Sequence, residues 1–229
     1  RPAHQDGEKH CQRVESEIKA LFPGLTVIRM DADTTAGRDL HRQKLIEFKH
    51  LKKGILLGTQ MIAKGLDFPE ITLVGVINAD TALHLPDFRA AERTFQLMMQ
   101  VAGRAGRGSL PGKVIIQTYC PENYAIASLL KADYDAFYAQ EIDFRKELDY
   151  PPCSNLINIL ISGQSETKTA EAAMALGRLL AAEHVIKLAV MLGPVPAPIP
   201  RLKNRYRWHI TFKTHQPTQL KNFLKETDV

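Results

Sequence analysis

The run Gln100-Val-Ala-Gly-Arg-Ala-Gly-Arg107 spaces one amide and two guanidinium groups along what the flanking pattern predicts to be a helix. Positions i, i+4 and i+7 of a helix share a face, so Gln100, Arg104 and Arg107 are expected to point together into a cleft. Gly103 and Gly106 would let another backbone or a ligand come close. Guanidinium groups present planar forked donors, stay charged at any relevant pH, and suit phosphate oxygens and the charge that develops in phosphoryl transfer. The competing reading is a helix that frays through its two glycines into a solvated basic turn. A motif this short matches by chance, so the rest of the chain has to decide.

A second cluster of chemically useful residues lies upstream. Thr59 and Gln60 follow the apolar run Ile55-Leu-Leu57, and Lys64-Gly-Leu-Asp67 stands in the same connection. Ile55–Leu57 is too hydrophobic for a wet face, which predicts a strand of a parallel sheet covered on both sides by helices. Ile71–Ile77 reads as a second such strand, with Leu25–Met30 before them and Val114–Thr118 after them. Helical spacing precedes the first strand (Val14, Ile18, Leu21, Phe22), links the first two (Leu40, Leu45, Ile46, Phe48, with Thr34 or Thr35 as cap), and follows a loop over 78–87 (Phe88, Ala91, Phe95, Met98, Ala102). Alternating strands and helices imply an open α/β sheet that binds ligands beyond the carboxyl ends of its strands, where Thr59 and Gln60 fall.

The chain has 229 residues, 45% of them hydrophobic, enough for one large or two small domains with a sizeable core. A formal net charge of +5 and a pI near 9.1 permit a polyanionic partner without requiring one. Cys11, Cys120 and Cys153 are dispersed, which writes neither a disulfide framework nor a local zinc knuckle and favours a reducing cytoplasm. No charged-then-apolar leader opens the sequence, and no apolar run approaches the roughly 18 residues of a membrane helix. Arg1 rather than Met in first position suggests a piece of a longer protein.

Residues 123–149 read as two helices whose Tyr134, Phe137, Tyr138, Ile142 and Leu148 form a core stripe. Tyr150-Pro-Pro152 breaks the pattern and is expected to bound a first domain over 1–150. The remainder, 151–229, reads as strand (Leu156–Ile161), helix (Thr167–Lys187), strand (Leu188–Leu192), strand (Tyr206–Thr214) and a short, incomplete helix ending at Asn222–Lys225, a small α+β unit short of a final strand. No acid occurs between Glu183 and Glu226, whereas Arg201, Lys203, Arg205, Arg207, Lys213, Lys221 and Lys225 all do. Gly193–Pro200 would deliver this basic segment on a stiff extended loop. Arg205 and Arg207 are the candidates for a phosphate backbone or an acidic peptide; the alternative is a solubilising face. Tyr206 and Trp208 share one strand face and are open to a core reading.

Ile55–Pro69 and Gln100–Arg107 resemble motifs V and VI of superfamily 2 helicases in order and spacing. Arg29-Met-Asp-Ala-Asp-Thr-Thr35, Asn78–Arg89 and Gly193-Pro-Val-Pro-Ala-Pro198 are similar to the PriA (primosomal protein N′) family within that superfamily. This resemblance implies a RecA-like (P-loop NTPase-type) parallel-sheet lobe over 1–150, followed by most of a small α+β C-terminal domain over 151–229. It implies an ATP-dependent 3′–5′ DNA helicase of the bacterial cytoplasm that restarts stalled forks and supports primosome assembly. Arg107 would be the arginine finger, Arg104 a second triphosphate contact and Gln100 an orienting amide. Thr59, with Gln60 and Lys64 beside it, would meet the DNA backbone, while Gly65 and Asp67 would link the DNA and nucleotide sites. Partners implied are branched and single-stranded DNA, the acidic tail of single-stranded-DNA-binding protein, and other primosome proteins.

The departures are as informative. No G-x-x-x-x-G-K-[ST] phosphate loop and no D-E-x-H magnesium motif occurs, so ATP and Mg²⁺ would be held mainly by another lobe. The family's zinc module of C-x-x-C pairs is missing too. These 229 residues alone are expected not to hydrolyse ATP. The alternatives are a non-catalytic docking module for DNA or an acidic tail, and a superfamily 2 translocase of another family.

Overall fold

The structure, a computed structural model, describes residues 2–31, 38–59, 68, 70–103, 105–106, 111–181 and 183–226. Two compact units emerge, one formed by 1–85 with 89–133 and the other by 86–88 with 134–229. The sequence placed the divide at the prolines after Tyr150. In the structure the helix before those prolines packs with the second unit.

In the first unit, α1 (Pro2–Leu21) runs into the Pro23-Gly24 stop and returns as β1 (Thr26–Met30). Ile28 and Met30 are buried at alternate positions of β1, as a half-covered strand requires. After α2 (Arg38–His50), β2 (Gly54–Gly58) pairs with β1 in parallel, Val27 opposite Ile55 and Arg29 opposite Leu57. The Thr34 and Thr35 caps lie outside the described residues. Next, β3 (Leu73–Val76) leads through α3 (Asp80–Leu83) into α4 (Ala90–Ala102) and then β4 (Lys113–Ile116), which pairs with β3 in parallel. Then α5 (Tyr124–Leu130) packs on α4, with Phe95, Met98, Ala125, Ile126 and Leu129 buried. Asn123 caps α5 by accepting the Ala125 N–H at 3.0 Å.

Several expectations are corrected here. Among the described residues the strands of this unit form two parallel pairs, and β2 is half-buried throughout. In the run read as a fully covered strand, Leu73 and Ile77 are exposed, as is Ile115 across the pair, because a two-stranded sheet leaves an uncovered face. Leu40 and Ile46 of α2 are also exposed. The loop read over 78–87 contains α3, whose first residue Asp80 is held at the exit of β4.

The second unit opens with α6 (Tyr134–Glu147) and centres on the antiparallel sheet β5-β7-β6, formed by β5 (Asn155–Gly163), β6 (Val190–Leu202) and β7 (Arg205–Thr214). Between β5 and β6 lie α7 (Glu166–Leu180) and α8 (Glu183–Leu188), two helices where one was expected, with the break at Ala181. The chain ends in α9 (Pro217–Glu226), a fuller helix than its sequence suggested. Leu180, Val185, Ile210, Phe212, Leu220 and Leu224 form the buried core, all on the side of the sheet that carries the helices. Gly177 lets α7 approach β6, since a Cβ there would lie 2.7 Å from Pro194 Cδ.

Gly193–Pro200, read as a loop, is part of β6. An edge strand keeps only one ladder, and its prolines are accommodated where the pairing with β7 shifts register between Leu192 and Val195 and between Pro196 and Arg201. Lys203 and Asn204 close the β6–β7 hairpin with both residues at positive φ, the two-residue turn that matches strand twist. The expected aromatic core stripe of α6 also fails in part. Phe137 is buried, but Tyr134 and Tyr138 are 57% and 53% exposed and face each other at 6.3 Å.

Candidate nucleotide and nucleic-acid site

Helix α4 brings the chain to the amide and arginine run. Its C-terminal end differs from the sequence expectation: the helix stops at Ala102, Gly103 N–H closes back on the Met99 carbonyl at 3.0 Å, and Ala105-Gly106 form a turn. The helix expected to run on through this stretch therefore ends at Ala102. Gly103 has little helix propensity, and Gly106 adopts φ +75°, which a right-handed helix cannot contain. Gln100 is exposed in the last turn of α4, accessible to a ligand. Arg104 and Arg107 lie outside the described residues. Gly106 does what its residue type predicted, admitting another backbone, that of Gly112. Its own N–H is taken by the Ile71 carbonyl at 3.0 Å.

The short helix α3, which precedes α4, is fixed at its first residue. The buried Asp80 carboxylate accepts Thr118 Oγ1 at 2.8 Å and the Tyr119 N–H at 3.0 Å, so α3 is fastened to the end of β4. Burial works against its charge, but these two donors and the nearby His84 outweigh it and hold the carboxyl below its ordinary value. His84 Nδ1 lies 2.8 Å from the Asp80 carbonyl. Nothing in the sequence marked Asp80 beyond its place in the run 78–89.

Thr59 sits exposed immediately after β2, at the carboxyl edge that the α/β rule singled out. Gln60, Lys64, Gly65 and Asp67 lie outside the described residues. On the same strand pair, Arg29 bridges Glu15 at 3.0 Å and Asp31 at 2.9 Å, while Lys44 Nζ donates to the Arg29 carbonyl at 2.7 Å. A hydrogen bond and charge from Lys19, opposed by burial, combine with Arg29 to lower the pKa of Glu15. A cavity of about 310 Å³ is lined by Glu15, Arg29 and Lys44 with Glu47, Val27 and Ile28.

In the second unit the basic residues divide by strand parity. Tyr206, Trp208, Ile210, Phe212 and Thr214 alternate with Arg205, Arg207, His209, Thr211 and Lys213 along β7. Ile210 and Phe212 are wholly buried, while Tyr206 and Trp208 are half-buried on that same face. On the opposite face Arg205 donates to the Ser162 carbonyl at 2.9 Å and remains exposed, and Arg207 stands opposite Ser162 in the register. Arg201 lies 5.0 Å from the Tyr206 ring centroid. Lys213 is engaged elsewhere, its Nζ donating to the Leu148 carbonyl at 2.7 Å and sitting 3.9 Å from the Tyr150 centroid. Tyr150 stacks on Phe88 at 5.3 Å, and Arg145 lies 5.1 Å from the Phe88 centroid. Among the described residues no group of three or more His, Cys, Asp and Glu is poised for a metal, and no helix is long and apolar enough to cross a membrane.

Residues 7–109 match the helicase conserved C-terminal domain, and residues 146–229 match the primosomal protein N C-terminal domain. The replication restart protein PriA of Bacillus subtilis is 49% identical over 215 residues, 94% of this chain and 27% of that protein. The chain belongs to the PriA family. The PriA proteins of Synechocystis and Treponema pallidum are 43% and 44% identical over 88% and 87% of this chain, covering 24% and 30% of their own lengths. The chain thus spans roughly a quarter of the length of these PriA relatives. All but residues 86–88 of the helicase match fall in the mixed α/β first unit, and the β5-β7-β6 sheet lies within the PriA-type C-terminal match.

Proposed function

We propose that this chain is the C-terminal part of an ATP-dependent 3′–5′ DNA helicase of the bacterial cytoplasm that restarts stalled replication forks and supports primosome assembly. The observation that carries this reading is the turn after α4. Gln100 lies in the last turn of α4, and Gly106 of the same sequence motif turns against Ile71 just before β3, within the residues that match a helicase domain. Arg107 stabilises the charge that develops on the transferred phosphoryl group, Arg104 contacts the triphosphate, and Gln100 orients the attacking water. ATP and Mg²⁺ are held mainly by a lobe bearing the phosphate loop, which these 229 residues do not contain. Zinc has its ligands outside this chain too, in keeping with its three dispersed cysteines.

Thr59 contacts the DNA backbone beside Gln60 and Lys64, and Gly65 and Asp67 connect that contact to the nucleotide. In the second unit, the exposed Arg205 and half-buried Arg207 offer positive charge on the sheet face away from the core to branched or single-stranded DNA. The same face suits the acidic tail of single-stranded-DNA-binding protein, and the two compete for it. The test is DNA-stimulated ATP hydrolysis by the complete protein. Arg107→Ala should lower kcat by about 10³-fold or more. These 229 residues alone should show no hydrolysis. Unchanged turnover in Arg107→Ala, or DNA-stimulated turnover by this piece alone, would refute the motor reading.

A further inference from the structure

The backbone at 105–106 and the backbone at 111–112 are in direct contact. A Cβ on Gly106 would lie 2.6 Å from Gly112 N and 3.0 Å from Gly112 Cα. One on Gly112 would lie 2.7 Å from Ala105 Cβ and overlap both Gly106 N and the Ala105 carbonyl carbon. Side-chain carbons do not approach backbone atoms this closely, so the crossing exists only because both residues are glycine. Two consecutive carbonyls just before β3 then fasten the crossing. The Ile71 carbonyl accepts the Gly106 N–H at 3.0 Å, and the Thr72 carbonyl accepts the Lys113 N–H at 2.8 Å.

Arg104 directly precedes the Ala105-Gly106 pair in sequence and Arg107 directly follows it. We propose that Gly112 is a positioning residue for Arg107. By lacking a side chain it lets the two backbones close, and the closure holds the Gly106 backbone that Arg107 follows in sequence. Gly112 lies outside the motif itself, and Pro111-Gly112 in the sequence signals only a turn. The proposal rests on the reading of Arg107 as a nucleotide-contacting group, and its test keeps the two separable.

In the complete protein, Gly112→Ala should lower kcat for DNA-stimulated ATP hydrolysis by about 100-fold, the loss that a displacement of about 1 Å produces. The KM for ATP should move less than about 3-fold, because ground-state binding does not depend on the displaced group. In an Arg107→Ala background the same substitution should remove less than about a further 3-fold, since no finger remains to misplace. Gly106→Ala, which meets the same crossing from the other side and adds the strain of a positive φ, runs through the same cycle, and thermal melting of each variant separates lost fold from lost rate. Gly24→Ala, whose Cβ would meet nothing within 4 Å, should keep wild-type rates. Wild-type kcat in folded Gly112→Ala and Gly106→Ala, a loss confined to KM, or losses that multiply with Arg107→Ala would overturn the proposal while leaving the motor reading intact. Wild-type kcat in Arg107→Ala would overturn both.

Discussion

Replacing Arg205 and Arg207 by alanine together tests whether the second unit binds nucleic acid through β7. Both side chains lie on the sheet face away from the core, and neither change opens a cavity among Ile210, Phe212 and Leu180. Arg205 gives one bond to the Ser162 carbonyl but keeps its charge and its exposure, so it can still neutralise a phosphate and release the cation condensed there. Lys213, on the same face, is committed to Leu148 and the Tyr150 ring and is left out of the count. Each lysine or arginine that neutralises a phosphate of single-stranded DNA contributes about 0.7 to the slope of log K against log salt. The double variant should therefore flatten that slope by about 1.4. Fluorescence anisotropy of labelled single-stranded DNA between about 50 and 200 mM salt measures this directly. A weaker affinity with an unchanged slope would mean that the substitutions act through structure, and an unchanged affinity would assign both arginines to the solvated surface.

Phe212→Ala should destabilise the second unit by about 3–5 kcal/mol, because the ring is fully buried in the cluster of Leu180, Val185, Ile210 and Leu220. A denaturant melt reading that unit would show it, and a shift near zero would place Phe212 outside the core. Asp80→Asn tests the fastening of α3 to β4. Since the folded carboxyl is held below its ordinary value, its stabilisation is present above the unfolded pKa of about 4 and disappears as pH falls through the lower folded value. The wild type should melt higher than the variant at neutral pH, and the two should converge in acid; a gap independent of pH would sink the argument.

Much of the element order was legible in the sequence because its signals are local. The spacing of Phe95, Met98 and Ala102 gives α4 whatever it packs against, and the alternation of Ile210 and Phe212 with Arg207 and Lys213 gives β7 and its two faces. The crossing at Gly106 was partly legible, since glycine next to an arginine motif invites a close approach. Its partner was not, because Gly112 carries no signal that distinguishes it from any other turn glycine. The prolines of 194–200 misled for a related reason. Proline forbids a central strand but not an edge strand, and which edge a segment occupies is a property of the sheet.

By itself the sequence determined the chemistry: which residues are available near phosphate, the basic charge of 201–225, and the family, through motifs whose order and spacing are written in the chain. Tertiary structure alone decided where α4 ends, which carbonyls just before β3 hold the turn, that Tyr134 and Tyr138 face solvent, and that Asp80 is a buried clamp. Residue identity and local periodicity are fixed by neighbours along the chain. Burial, close backbone approach and the pairing of buried polar groups depend on segments well separated in sequence, and only folding brings those together.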